Sequence, residues 1–207
     1  MSNEVLMDIL SRKVPVEATA YCVQLWEQNP FHFKMAKDRS SKLGDFRFDP
    51  RDQSLKVTVN ANLNPYQFLI TYIHEVAHRY AFNPKKRLKP HGIEWKMQFQ
   101  KLMLPMLNTD VFPDDVLRVL ARHMKNPKAS TAADPKLVEV LARYSENEES
   151  RATLKGMALN STFNFRGKAY RKLEEKRTRA LCEELNTGRR YLIPMIIEID
   201  IVINSSK

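Results

Sequence analysis

The sequence predicts an α+β fold, in which a domain of helices with a small antiparallel sheet is followed by a small β-rich appendage. Three observations predict it. Apolar residues recur at helical intervals through Leu69, Ile70, Ile73, Val76, Ala77 and Tyr80. Short extended runs separated by turn-forming residues precede that series. From about Leu154 the texture changes to several short strand-like segments. A chain of 207 residues with 43% hydrophobic content can bury one substantial core and carry an appendage. The boundary is expected near residue 150, in the polar stretch Ser145-Glu146-Asn147-Glu148-Glu149-Ser150, giving domains 1–150 and 151–207.

Pro15 to Gln28 reads as an amphipathic helix, with proline as first helical residue and Val16, Ala20, Val23 and Trp26 in roughly helical spacing. Phe31 to Met35, Phe46 to Phe48 and Leu55 to Val59 read as strands, separated by Leu43-Gly44-Asp45 and Asp49-Pro50-Arg51-Asp52, and would form the antiparallel sheet. Asn64-Pro65 offers an N-cap followed by proline at the first helical position, and Asn83-Pro84 stops the helix that they open. Further helices are expected from Ile93 to Leu104, from Asp114 to Lys125, and from Pro135 to Tyr144 behind an Asp134 cap. Met97, Met103, Met106 and Met124 fall in apolar helical contexts and read as core filler. In the appendage, Ser161 to Phe165, Ala169 to Leu173, Arg177 to Glu183 and Arg189 to Ile193 read as strands broken by Arg166-Gly167 and Asn186-Thr187-Gly188, with Ile196 to Ile203 as a last strand.

No run approaches the ~18 apolar residues of a membrane span, and Met1-Ser2-Asn3-Glu4 lacks the layout of a signal peptide, so a cytoplasmic protein without a membrane partner is expected. Cys22 and Cys182 form no Cys-x-x-Cys pair, which argues against a disulfide framework and a cysteine-rich zinc ribbon. The net charge of +10 suggests a polyanionic partner, with nucleic acid the commonest candidate. Basic residues gather in Lys85-Lys86-Arg87-Leu88-Lys89 and again over residues 166–190. That second stretch holds nine (Arg166, Lys168, Arg171, Lys172, Lys176, Arg177, Arg179, Arg189, Arg190) against four acidic residues.

The best-defined helix carries His74-Glu75-Val76-Ala77-His78, a His-Glu-x-x-His pattern. Residues four apart share one helix face, so both imidazoles can reach a single Zn²⁺ at ~2.0–2.1 Å. His74, His78 and Thr71 lie on a stripe away from Ile73, Val76 and Tyr80. Glu75, one residue round, can act as general base on a water whose pKa the zinc lowers towards ~7, and can return the proton to the departing amine. Either histidine alone would read as an ordinary helix residue; the pattern is what points to metal.

A catalytic zinc keeps three protein ligands and one open position. His91 is the natural third, after a twelve-residue interval in which Asn83-Pro84 and Lys89-Pro90 turn the chain, with Gly92 permitting close backbone approach. His91 as a plain loop histidine, or Glu94 as an oxygen ligand in its place, are the other readings. His32 and His123 have no comparable context and read as structural or exposed. Trp95 is expected to pack its helix against the motif helix.

Ile73-His74-Glu75-Val76-Ala77-His78 and Lys89-Pro90-His91-Gly92-Ile93-Glu94-Trp95, with the upstream Ser41-Lys42-Leu43-Gly44 and Asn62-Leu63-Asn64-Pro65-Tyr66, resemble the SprT-like zinc metalloprotease family of bacterial SprT and the Spartan catalytic domain. The resemblance covers about residues 15 to 110. It implies a minigluzincin-like fold, zinc on His74, His78 and His91, and Glu75 as the base. Many such proteins continue into a cysteine-ligated zinc ribbon; here Cys182 stands alone in that region, which excludes a four-cysteine site. The appendage would then be ribbon-like without those ligands, packed through Phe163, Phe165, Tyr170, Leu173, Tyr191 and Ile193. Its charge and aromatics would suit a DNA backbone with stacking on bases; equally, the aromatics could form a small core whose basic residues are merely solvated.

The expected activity is therefore zinc-dependent hydrolysis of peptide bonds in protein substrates associated with nucleic acid. The rival expectation is a nucleic-acid-binding protein of transcription or stress response, with structural zinc or a vestigial site. A metallohydrolase acting on another bond is the third.

Overall fold

The computed structural model describes residues 2–37, 39, 42–86, 88–145 and 152–201. Ser41, Arg87, the boundary stretch 146–150 and the end of the last apolar run beyond Ile201 lie outside the described residues. The chain divides into two compact units, Met1–Ser145 and Glu146–Lys207. The fold is α+β.

The first unit opens with helix α1 (Asn3–Ser11), which the sequence reading left out. Ser2 caps it, its Oγ accepting the Val5 N–H, and Leu6 and Leu10, one turn apart, are both fully buried. Helix α2 (Val16–Gln28) follows, with Pro15 at the cap rather than inside the first turn.

Strands β1 (His32–Ala36), β2 (Gly44–Asp49) and β3 (Ser54–Asn60) form one sheet in the order β1-β3-β2. The sheet is mixed rather than antiparallel. Strand β2 pairs antiparallel with β3, placing Phe46 opposite Val57, but β1 runs parallel to β3, with Phe33 also opposite Val57. The physical reason lies in the side chains. Val57 and Val59 are fully buried, so β3 takes the centre, with β1 and β2 on either side of it. Burial of Phe33 against Phe68 and Tyr72 holds β1 in place and contributes ~1.5–3 kcal/mol.

Helix α3 (Pro65–Ala81) packs on this sheet with Phe68 and Tyr72 against Phe33; both are fully buried, as are Ile73 and Val76. Asn64 holds its start, Oδ1 accepting the Gln67 N–H at 2.9 Å while Nδ2 donates to the Leu141 carbonyl at 2.8 Å. Helix α4 (Ile93–Met103), a 3-10 turn (Leu104–Met106), helix α5 (Asp114–Met124) and helix α6 (Pro135–Ala142) complete the unit. Asp134 caps α6 as expected, accepting the Leu137 N–H. Met103, Met106 and Met124 are buried, whereas Met97 is 61% exposed and fills no core.

The second unit is one sheet of six described strands: β4 (Ala152–Thr153), β5 (Thr162–Phe165), β6 (Lys168–Glu175), β7 (Arg179–Glu184), β8 (Arg190–Pro194) and β9 (Glu198–Ile201), in the order β4-β9-β5-β6-β7-β8 with antiparallel neighbours. Arg166 and Gly167 join β5 to β6 with φ of 52° and 75°, a two-residue hairpin turn that needs positive φ at both positions. Phe163, Tyr170, Ala180, Cys182 and Ile193 face inward, with Leu154, Met195 and Ile199, to make a separate core. Arg171, Arg179 and Arg190 are exposed at the alternate positions.

Lys172 departs from that alternation of apolar inside and charged outside. It is fully buried beside a β-bulge, and its ammonium donates to the Leu154 carbonyl at 2.7 Å, to the Met157 carbonyl and to Glu175. One of the nine basic residues of this segment thus adds nothing to its surface charge.

Candidate metal centre

Helix α3 ends at Ala81 because the chain must turn before Pro84, which cannot continue a helix with its predecessor in the α region. Within it His74 and His78 stand one turn apart and project from the same face. The returning segment reaches the same point. Gly92 N–H bonds to the Lys89 carbonyl at 2.9 Å, closing a tight turn in which His91 takes φ of 56°, a left-handed conformation that few residues with a Cβ adopt. A Cβ on Gly92 would stand 2.9 Å from the Lys89 carbonyl oxygen, so glycine is required there. Strain of this kind collects at functional sites.

The turn brings His91 Nε2 to 3.2 Å from His74 Nε2 and 2.9 Å from His78 Nε2. Two nitrogens on one tetrahedral zinc would lie ~3.3 Å apart, from ligand distances of ~2.0–2.1 Å. The three ligand atoms all fall within 4.8 Å of one another, which makes this group fit to hold a metal ion. Each ring is also pushed towards its neutral form. Burial, then the neighbouring histidines, hold His74 well below the ordinary histidine range. Burial and His91 bring His78 down to about 4 against an opposing pull from Asp45, and burial lowers His91. Neutral imidazoles present lone pairs to a cation. Glu94 lines the same cleft, but its carboxylate does not join the converging group.

Trp95 makes one wall of the triad. Its ring lies 4.6 Å from that of His74, 5.4 Å from His78 and 4.7 Å from His91, and its indole N–H donates to the His74 carbonyl at 3.3 Å. The expectation that it packs α4 against the motif helix holds. Phe46 also stacks on His78, its ring near-parallel at 6.4 Å.

Glu75 turns towards strand β2, which is the edge of its sheet. A Cβ on Gly44 would stand 2.6 Å from Glu75 Oε1 and 2.8 Å from Thr71 Cγ2, so the carboxylate lies directly against bare backbone. The Phe46 backbone N–H lies close enough to favour its charged form. Burial, helped by Asp45, pushes the carboxyl up to about 8, against Lys42, the Phe46 N–H and Arg39. A dication at the triad would act in the opposite direction, favouring the carboxylate.

All four residues open on a cleft of about 600 Å³. One wall is Lys42 to Phe46, another is the segment carrying Lys86, Lys89 and His91, and a third is Ala129 to Thr131. Sequence reasoning missed that third wall. His123, read as structural or exposed, is buried and bonded through Nδ1 to Asp134 Oδ2 at 3.0 Å, a structural placement. His32 is exposed. The approach of Gly44 to Glu75 was also missed; the sequence reads Gly44 as a turn residue, whereas it opens strand β2. Among the described residues no helix is long and apolar enough to cross a membrane.

No protein-family model, curated protein or solved structure matches this chain.

Proposed function

We propose that the protein is a zinc-dependent metallopeptidase of minigluzincin-like fold, with His74, His78 and His91 as the zinc ligands and Glu75 as the catalytic base. The observation that carries this reading is the meeting of three neutral imidazole nitrogens beside a buried carboxylate that is not one of the converging groups. A site built only for structure would be closed by a fourth side chain and would have no use for that carboxylate. Zinc there would supply Lewis-acid polarisation of a peptide carbonyl and of water.

Glu75 takes a proton from the attacking water on a carboxylate oxygen and passes it to the departing amine nitrogen. The bare backbone of Gly44 lies against Oε1 of that carboxylate. Trp95 and Phe46 both stack on the His78 ring and would limit the water that reaches it. The free edge of β2 offers backbone groups along which an extended chain can lie.

The second reading is a nucleic-acid-binding protein in the cytoplasm, with zinc structural or the peptidase site vestigial. The exposed Arg171, Arg179 and Arg190 on the second unit favour a DNA partner, whereas Phe163 and Tyr170, inward in its core, leave Tyr191 as the half-exposed aromatic for stacking. The deciding experiment incubates the zinc-loaded protein, wild type beside Glu75→Gln, with a DNA-binding protein in the presence and absence of DNA. Cleavage by wild type alone supports the peptidase. DNA binding at full zinc occupancy without cleavage supports the second reading.

A further inference from the structure

The wall that carries His91 also carries two lysines. Lys86 and Lys89 both line the cleft, both are exposed, and neither makes an ion pair among the described residues. Tight turns hold their backbone. Asn83 Oδ1 accepts the Lys85 N–H at 2.9 Å, the Asn83 carbonyl accepts the Lys86 N–H at 3.1 Å, and the Lys89 carbonyl accepts the Gly92 N–H at 2.9 Å. With ~3.8 Å between consecutive Cα atoms, the Cα of Lys89 is within ~7.6 Å of that of His91.

The facing wall cannot neutralise them. Its acid, Asp45, is already held by Lys42 at 2.9 Å and by Arg47 at 3.2 Å. Glu94, on the same side as the lysines, sits in the first turn of α4, where the helix N-terminus stabilises its charge. Two lysines therefore line a cleft whose opposite acid is already paired.

From this juxtaposition we infer that the cleft selects peptide segments bearing Asp or Glu side chains within one or two residues of the scissile bond, with Lys86 and Lys89 as the specificity-determining residues. The inference rests on the peptidase reading and narrows its substrate class. A carboxylate on the bound segment meets two flexible ammonium groups, each a point charge suited to a single oxygen. The alternative polyanion, nucleic acid, would reach the same lysines through phosphate and becomes an outcome of the test.

The test uses the full-length, zinc-loaded Glu75→Gln protein and three fluorescein-labelled peptides of one length with Glu, Gln or Lys at the variable positions, read by anisotropy. The acidic peptide is expected to bind about tenfold more tightly than the neutral one, an advantage that falls as salt rises. Lys86→Glu/Lys89→Glu should invert the order, while Lys101→Glu/Lys136→Glu, exposed positions outside the cleft with the same change in net charge, should not. Equal binding of the three peptides, no binding of any, or an acidic preference that survives the Lys86/Lys89 reversal overturns the inference. So does an oligonucleotide that binds through these lysines and excludes the acidic peptide. Turnover of the same peptides by wild type is read separately: cleavage indifferent to charge leaves the peptidase standing and removes the inference, whereas charge-selective binding without turnover leaves the lysines standing and removes the peptidase.

Discussion

Gly44 and Glu75 meet without a side chain between them: any Cβ at position 44 would come within 2.6 Å of the Glu75 carboxylate oxygen. Backbone at 44 is therefore part of how the proposed base is aimed. Gly44→Ala is expected to displace the carboxylate by something near an ångström and lower turnover ~10²-fold, with zinc stoichiometry unchanged. Equal kcat in the two proteins would mean that Glu75 is not positioned by β2.

Glu75→Gln keeps the size and the Phe46 contact of the side chain but removes its ability to take a proton. Turnover should fall by ~10²–10⁴-fold, while bound zinc, measured by elemental analysis, stays at the wild-type level. His78→Ala should lose both.

His91 pays for its place with a left-handed backbone. In the metal-free protein, His91→Gly is expected to raise stability by ~0.5–1 kcal/mol, because glycine enters that region without a Cβ clash. In excess zinc the order reverses, since the wild type gains binding energy and the variant has lost a ligand. Thermal unfolding with and without a chelator reads both signs.

Burial works against the Asp134 carboxyl, but the His123 ring, the Leu137 N–H and the charge of Lys128 outweigh it and hold the group below the ordinary aspartate range. A folded value below the unfolded one gives stability that is complete above the unfolded value of ~3.9 and is lost as pH falls through the folded one. Asp134→Asn should accordingly cost ~1–2 kcal/mol at neutral pH, a difference that vanishes in strong acid. Urea titrations of the two proteins across that range test it.

Lys172→Met fills the same space but leaves the Leu154 and Met157 carbonyls without a donor. A cost of ~2–4 kcal/mol is expected, confined to the second unit. Hydrogen exchange should show protection falling in β5 to β8 with α3 unchanged.

The motif helix was legible because its signals are local: the Asn64 cap, the proline at 65, the 3.6-residue apolar period and the proline at 84 all act within one element. His91 was legible for a similar reason, since Pro90 and Gly92 mark a turn whatever surrounds them. What escaped depends on elements far apart in sequence. That β1 would run parallel to β3 is decided by Phe33 against Phe68 and Tyr72 on a helix still to come. Gly44 looks like any turn glycine until α3 places Thr71 and Glu75 against it. Lys172 shares its composition with its solvated neighbours, and only strand alternation at a bulge turns it inward. Helix α1 is the exception: Ser2, Leu6 and Leu10 carry local signals, but two buried leucines in nine residues make a short pattern.

The bond from the Trp95 indole to the His74 carbonyl joins residues 21 apart in sequence, and the histidine pair it encloses, His78 and His91, is 13 apart. The segment between is thus a ring within a ring, and the outer one closes without any ion. Closing a flexible segment costs entropy that grows only slowly with its length, ~0.6 kcal/mol per doubling. With the outer ring already shut, an arriving cation has little chain left to gather. Trp95, which touches no ion through a lone pair, should therefore govern how tightly one is held, and substitutions there would weaken affinity from behind the ligands rather than among them.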